Sequence, residues 1–421
     1  MLEIEKQQAL IKILKEKVNK QLLYYLDVCA RCAICRDACH QYKTTKDYKY
    51  IPAYRAELIR RLYKKYFSVL GRVFPKLYES RTVDDEILLD ELYQVTYACT
   101  GCRRCMYYCP FSIDTTHILS VAKALLIAAG RENQMLRELA DASIMKGENI
   151  DMFKDIFTSI IKESEPELRE KTGDPQAEIP IEKEGAEVLY VALSGLHSIM
   201  PAAVIFNKAK INWTLSMFEA ANYGYFLGDS ARAKKIADRI VDEAKRLKVK
   251  EVIITECGHA YRVMNFFYEA WTREKPPFKI TALVDAIYGF IKDGKIQVKS
   301  NAVKEIVTYH DPCQVGRNGG FFEEPRYVVS SIAQNFKDLN PNRTKAWCCG
   351  GGGGLVAIPE LEEFRLKTGK LKADQIKETG AKIIVSPCEN CRLQLDSLNI
   401  KYELGVEIKS LMEFVADNIV V

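Results

Sequence analysis

CARCAICRDAC (residues 29–39) and CTGCRRCMYYCP (residues 99–110) decide how this chain folds. Each run spaces its cysteines x2, x2, x3. A cubane [4Fe–4S] cluster needs four thiolates around one cage. Three cysteines at two-residue intervals wrap three irons from one loop, and the fourth ligand commonly comes from the other run in a two-cluster protein. That rule predicts one cluster on Cys29, Cys32, Cys35 and Cys109, and another on Cys99, Cys102, Cys105 and Cys39. Zinc sites pair two CxxC units instead of running four cysteines together. The expectation is therefore two cubane [4Fe–4S] clusters.

The surrounding sequence is helical in pattern. Leu10, Ile13, Leu14, Val18, Leu22 and Leu26 recur at helical spacing over residues 2–27. An acidic helix, VDDEILLDELYQV (83–95), leads into the second run, and residues 115–130 follow as another helix. Between the runs, residues 43–76 hold ten Lys/Arg against Asp47 and Glu57, within a chain whose net charge is only +5. Leu58, Ile59, Leu62, Tyr66, Val69, Leu70 and Val73 lie along one face there, predicting a basic amphipathic helix over about 52–74. That helix is a solvated basic face over a local core, a docking surface for a membrane subunit or anionic lipid, or, least in keeping, a nucleic-acid contact. The expectation carried forward is no nucleic acid.

Beyond Glu163 the composition changes. Acidic residues mix with Pro166, Gly173, Asp174-Pro175 and Pro180, a linker signal over 161–186. β-rich runs then alternate with helical patterns: EVLYVAL (187–193), EVIIT (251–255), KITAL (279–283), EIVTYH (305–310) and KIIVS (382–386), with helices expected at 229–247, 260–273, 325–337 and 359–379. Such alternation predicts parallel α/β units. The half also repeats itself. KVKEVIITECGHAYRVM (248–264) aligns with TGAKIIVSPCENCRLQL (379–395), so Cys257 falls on Cys388 and Ala260 on Cys391. NWTL (212–215) aligns with AWCCG (346–350), which puts Thr214 and Leu215 at the places of Cys348 and Cys349.

The second copy carries a third cysteine set: Cys313, Cys348-Cys349, and Cys388-x2-Cys391, with Gly350 to Gly354 directly after the pair. Five thiolates exceed what one cubane or one zinc needs. Glycines let backbone approach a cluster and donate N–H groups to sulfur, which makes Gly350, Gly351 and Gly352 candidate cofactor-binding positions. A phosphate loop is the rival reading, but no GK[ST] follows.

This set resembles the cysteine-rich CCG domain of heterodisulfide reductase. Helical ferredoxin followed by CCG repeats covers nearly the whole chain, and one cysteine-bearing CCG copy is similar to the HdrD, DsrK, TmcB and HmcF type of iron–sulfur oxidoreductase. The resemblance implies an α-helical ferredoxin domain over 1–160, a degenerate CCG-like repeat over 187–300 and a complete one over 301–421. It implies a further [4Fe–4S] cluster, non-cubane in heterodisulfide reductase, on Cys313, Cys348, Cys349, Cys388 and Cys391. His40 stands where the ferredoxin pattern usually has Pro.

Eight cubane ligands and five more leave one of the 14 cysteines, Cys257, in Glu256-Cys257-Gly258-His259. It reads as a remnant of a decayed site, or as a thiol or proton donor at the third centre, with His259 beside it. His310, before Cys313, reads as a proton source or a strand-end cap. His197 is a weaker candidate.

The composition, 48% hydrophobic and 28% charged, excludes a mostly disordered chain, and a chain of 421 residues buries a core without disulfide staples. The N-terminus, MLEIEKQQALIKILKEK, has no apolar h-region, so the expected location is cytoplasmic, peripheral to the inner face of the cell membrane. Val188 to Phe206 is uncharged, but its Gly, Ser and Pro residues predict a strand (VLYVAL), a turn and a helix from Pro201, and no transmembrane helix of its own. The resemblance implies a catalytic subunit. It would move electrons between a membrane redox partner, a quinone-linked b-type cytochrome, and a disulfide or thiol substrate such as a small cysteine-bearing protein. The alternatives are an electron relay without its own substrate, and the iron–sulfur subunit of a flavin dehydrogenase.

Overall fold

A computed structural model describes residues 3–145, 153–193 and 195–420. Ser194, in the turn expected after VLYVAL, lies outside them. The chain divides into two compact units. One gathers Met1–Arg137, Phe226–Asp229 and Trp347–Lys372; the other holds Glu138–Tyr225, Ser230–Ala346 and Ala373–Val421.

The first unit is helical. The N-terminal pattern forms two helices, Glu3–Lys17 and Lys20–Val28, rather than one. Asn19 makes the break by accepting the Leu22 N–H at 2.8 Å, the usual N-cap arrangement. The basic helix is likewise divided. Pro52–Phe67 buries Leu58, Ile59 and Leu62, and a five-residue helix, Val69–Val73, restarts after an extended Ser68. Gly71 permits that break: a Cβ there would sit 2.3 Å from the Lys64 carbonyl oxygen. The apolar residues after Ser68 therefore face solvent instead of continuing the buried stripe. Glu86–Tyr97, capped by Asp85, and Thr115–Ala128, capped by Asp114, complete the scaffold around the second cysteine run.

The second unit contains two four-stranded parallel sheets. One comprises β1 (Val188–Val191), β2 (Trp213–Leu215), β3 (Glu251–Ile254) and β4 (Lys279–Ala282) in the order β2-β1-β3-β4. The other comprises β5 (Val303–Tyr309), β6 (Ala333–Phe336), β7 (Ile383–Val385) and β8 (Glu407–Lys409) in the order β6-β5-β7-β8. The two orders are the same, with the first strand of each set second in its sheet. Both sheets contribute to one apolar core, from Leu189, Tyr190 and Ile253 through Val307, Tyr309 and Val385.

Several expectations change. β6 occupies Ala333–Phe336, where a continuous helix over 325–337 was expected; the helix ends at Ile332. β2 pairs with β1 as β6 pairs with β5. Thr214 and Leu215 thus match the β6 region and not Cys348 and Cys349. The stretch expected as linker opens as helix, Lys154–Thr172, because Ile161 and Leu168 share one buried face while the acidic residues stay outside; Gly173 ends it in the left-handed region. The helix after β1 begins at Leu196, five residues ahead of Pro201. No helix among the described residues is long and apolar enough to cross a membrane.

Candidate metal centres

The two cysteine runs share one backbone device. Arg31 and Ala33 flank Cys32 with φ of 56° and 58°; Gly101 and Arg103 flank Cys102 with φ of 65° and 57°. Left-handed residues on both sides of the middle cysteine curl the loop so that successive thiols turn toward one point. For Arg31, Ala33 and Arg103 that conformation costs roughly 1–2 kcal/mol each, strain of the kind held at functional sites. A helical turn then follows each loop, Ile34–Ala38 and Arg104–Tyr108, and delivers Cys39 and Cys109 at its end.

Thiols of the two runs lie close together. Cys29, Cys32, Cys35 and Cys109 line one cavity of about 30 Å³, which Cys105 of the second run also lines, walled by Pro52, Ala53, Phe111 and Ile113. Burial pushes the Cys35 thiol up to about 11, and the neighbouring Cys29 and Cys109 add to the rise. Cys39 is raised by burial, opposed by the Arg55 guanidinium, with Cys102 and Cys99 as its sulfur neighbours. Cys105 is raised by burial too, with Cys102, Cys99 and Cys39 around it. Four convergent thiols in an apolar wall suit a cluster, whose irons reverse this penalty by taking the thiolate form.

Charged side chains that sequence reasoning did not single out tie the runs together. Arg104 is buried and donates to the Ala38 carbonyl at 2.9 Å and to the Tyr108 hydroxyl at 2.8 Å. Its guanidinium lies 3.5 Å from the Trp347 ring centroid, a cation–π stack. Arg55, also buried, donates to Gln41 Oε1 at 2.5 Å, and Gln41 donates to the Ala98 carbonyl. Arg103 pairs with Asp114 at 2.9 Å.

Trp347–Lys372, which carries the Cys348-Cys349 pair and its glycines, belongs to this helical unit. Gly350 N–H donates to Cys348 Sγ at 3.4 Å and Gly351 N–H to Cys349 Sγ at 3.5 Å. The glycines after them lie on the second cysteine run. A Cβ on Gly352 would meet the Thr100 carbonyl oxygen at 2.8 Å, and one on Gly353 the Cys99 carbonyl oxygen at 2.5 Å. Cys348 Sγ is 3.5 Å from Thr100 Oγ1. A ring nitrogen of His40 and the sulfurs of Cys102 and Cys348 all lie within 4.8 Å of one another.

The remaining three cysteines of that set sit at strand ends of the α/β unit, where such folds place ligands. Cys313 follows β5, Cys388 follows β7, and Cys391 lies one turn into the helix Glu389–Tyr402; all are buried. A ring nitrogen of His310 is within 4.8 Å of Cys391 Sγ. Asp311 is locked: Arg326 donates to both its oxygens, at 2.8 and 2.9 Å, and Arg343 N–H at 2.9 Å. The loops after the four central strands meet in opposed pairs. Gly258, after β3, packs on Gln314, after β5; Glu389, after β7, pairs with His197, after β1, at 3.6 Å.

Cys257 shares a small, mostly apolar cavity with Glu256, Tyr261, Phe321 and Pro387. Burial pushes its thiol up to about 12, with Cys388 as the next contributor. His259 packs against Tyr225, ring centroids 6.0 Å apart. Glu256 was not among the expected site residues. It is buried between the two repeats, its backbone carbonyl accepting from Glu389 N–H and Oε1 accepting from Met412 N–H, each at 2.9 Å, and burial raises its carboxyl to about 8. An acid at the end of β3 beside Cys257 was the available signal.

Convergent thiols on a helical unit and a cysteine-rich α/β repeat define an iron–sulfur oxidoreductase subunit. Residues 25–113 match the family model of the 4Fe-4S dicluster domain, and residues 307–396 that of the cysteine-rich domain. The chain is 31% identical to the Hdr-like menaquinol oxidoreductase iron-sulfur subunit 2 of Archaeoglobus fulgidus, over 96% of this chain and 81% of the relative. It is 29% identical to the Hdr-like menaquinol oxidoreductase iron-sulfur subunit of Archaeoglobus profundus, with the same coverage. It is 24% identical to HdrD of the dihydromethanophenazine:CoB–CoM heterodisulfide reductase of Methanosarcina mazei, over 94% of each chain. The chain belongs to the family of Hdr-like iron–sulfur oxidoreductases with 4Fe–4S dicluster and CCG domains.

Proposed function

We propose that this chain is the catalytic iron–sulfur subunit of a membrane-associated, quinol-linked complex, and that it moves electrons between a membrane redox partner and a disulfide or thiol substrate. The observation that carries the reading is the seating of Cys348 beside Cys102 and His40. It brings the cysteine-rich repeat's own thiol within 4.8 Å of a thiol of the second cubane set, which suits electron transfer without an intervening carrier. Reduction of a disulfide takes two electrons and two protons and yields two thiols. Clusters bound at these cysteines would supply the one-electron carriers and the centre at which sulfur is engaged. Gly350 and Gly351 N–H groups and the buried Arg55 and Arg104 would offset thiolate charge. Cys257, His259 and His310 take proton-handling roles in this reading, and the approach of His310 to Cys391 supports its role. Residues 187–300 form a degenerate CCG-like repeat and 301–421 the complete one, a reading supported by the matching strand orders.

An electron relay without a substrate of its own is the second reading. Burial of all five cysteines of the third set, none more than 7% exposed, favours it. Frozen-sample EPR separates the two. Oxidised, cluster-loaded protein is exposed to candidate thiols and disulfides. A third-centre signal that responds to substrate supports the catalytic reading; two cubane signals on reduction, with no response, sink it. Iron near 8 per chain instead of about 12 removes the third cluster altogether.

A further inference from the structure

Large apolar side chains crowd the surface at one place in the helical unit. Val69, Leu70, Val73, Phe74 and Leu77 are all exposed, Leu77 at 79%, and Phe67 before them is partly exposed with one face of its ring stacked on Tyr63. Arg72 and Lys76 are interleaved with them and exposed, Lys65 lies one turn before, and none of these three has an ion-pair partner among the described residues. Directly beside the stretch is a cavity of about 370 Å³ lined by Arg61, Pro75, Lys76, Glu79, Ser80 and Arg81. One acid in it is engaged, Glu79 with Arg61 at 3.1 Å, while Arg61 Nε is buried with no partner.

We infer that residues 67–77 are a membrane-surface anchor, and that the basic cavity beside them takes the phosphate of an anionic phospholipid. Apolar side chains enter the acyl boundary while cationic groups hold the anionic headgroups, the pattern of an interfacial element. Interleaved lysine and arginine favour a lipid over a protein occupant: lysine is depleted from the cores of protein–protein interfaces, whereas at a lipid surface its stem lies along the apolar region and its ammonium reaches the headgroups. The break at Ser68 is what makes the anchor, because it turns Val69, Leu70 and Val73 outward. The inference rests on the membrane-linked reading for its setting only. Vesicle binding requires no electron transfer, so the two fail separately.

The test is flotation of the cluster-loaded protein with vesicles of phosphatidylcholine alone or containing roughly one-third phosphatidylglycerol. Binding to the anionic vesicles alone is expected, weakened by salt. Phe74→Ser and Leu77→Ser should each weaken it about tenfold, and Arg72→Glu or Lys76→Glu at least about fivefold. Ile400→Ser, at an equally exposed position in the other unit, should leave it unchanged. Unchanged iron content and visible spectrum show that the variants are folded. Inorganic phosphate at matched ionic strength should not displace the protein. No binding, equal binding to neutral vesicles, displacement by phosphate, or variants that bind like the parent would overturn the inference.

Discussion

Gly353→Ala tests the seating of the glycine run on the second cysteine loop. Two penalties act there. Gly353 has φ of +70°, and a Cβ would lie 2.5 Å from the Cys99 carbonyl oxygen. The left-handed conformation costs an alanine roughly 1–2 kcal/mol, and forcing a methyl against backbone in a packed site costs about 1–3 kcal/mol more. Gly380 supplies the control, because its φ is +69° and its Cβ would meet nothing within 4 Å. Gly380→Ala should therefore show the conformational cost alone, and Gly353→Ala about twice as large a loss of thermal stability or more. The carbonyl that must move belongs to Cys99, so the EPR line shape of the second-run cluster should also shift, while that of the first-run cluster stays as it was. Equal stability losses in the two variants, with both cluster signals unchanged, would refute the packing described.

Cys29→Ser and Cys109→Ser should alter one EPR signal, and Cys39→Ser and Cys99→Ser the other; a shared signal for Cys29 and Cys39 would break the crossed pairing. Cys257→Ala should leave iron at about 12 per chain and lower turnover with a disulfide substrate about tenfold or more, as expected for loss of a positioned acid; unchanged turnover returns Cys257 to a remnant of a decayed site. Arg326→Leu strips the partner from Asp311 and should cost about 3–5 kcal/mol in denaturant unfolding; a loss below about 1 kcal/mol would mean that the pair is not desolvated. Burial raises Glu243 to about 7, although Ser216 Oγ and Met217 N–H donate to it. The folded chain thus binds more protons than the unfolded one between the unfolded pKa near 4.3 and about 7, so stability falls as pH rises through that window. Glu243→Gln should flatten the fall and stabilise the chain at pH 8 by up to about 3 kcal/mol; parallel thermal-stability profiles for parent and variant would contradict the assignment.

The cysteine runs were legible because ligand spacing is local: three thiols two residues apart report a loop wrapped on a cage whatever lies around it. The central strands β1, β3, β5 and β7 were legible as short apolar runs. β6, AQNF, was not, since a single aromatic in four residues carries no periodicity and only pairing with β5 makes it a strand. The helix break at Ser68 was hidden for the opposite reason. Val69, Leu70 and Val73 continue the apolar period of Leu58, Ile59 and Leu62, and only the approach of Gly71 to Lys64 turns them outward. Arg104 and Trp347 are far apart in sequence, and nothing near either announces the stack between them.

The same limit explains the misplaced repeat match at NWTL. After β6 the chain enters the helical unit at Trp347 and presents Cys348-Cys349-Gly350, with Gly350 at φ of 103°; after β2 it enters at Phe226 and presents Phe226-Leu227-Gly228, with Gly228 at φ of 89°. These are the corresponding segments. The first has glycine N–H groups on two thiols. The second has its backbone carbonyls taken up: Lys123 Nζ donates to Phe226 O, and the Tyr97 hydroxyl is 3.4 Å from Leu227 O. Lys123 fills the space besides, since a Cβ on Gly228 would lie 2.5 Å from two of its side-chain carbons. A half-buried cation and a buried phenol thus occupy the ground where the other segment sets soft thiolates. Both come from the helical unit, Tyr97 from the end of the helix Glu86–Tyr97 and Lys123 from Thr115–Ala128. Cysteines placed at Phe226 and Leu227 would meet the Lys123 side chain where a cluster needs room.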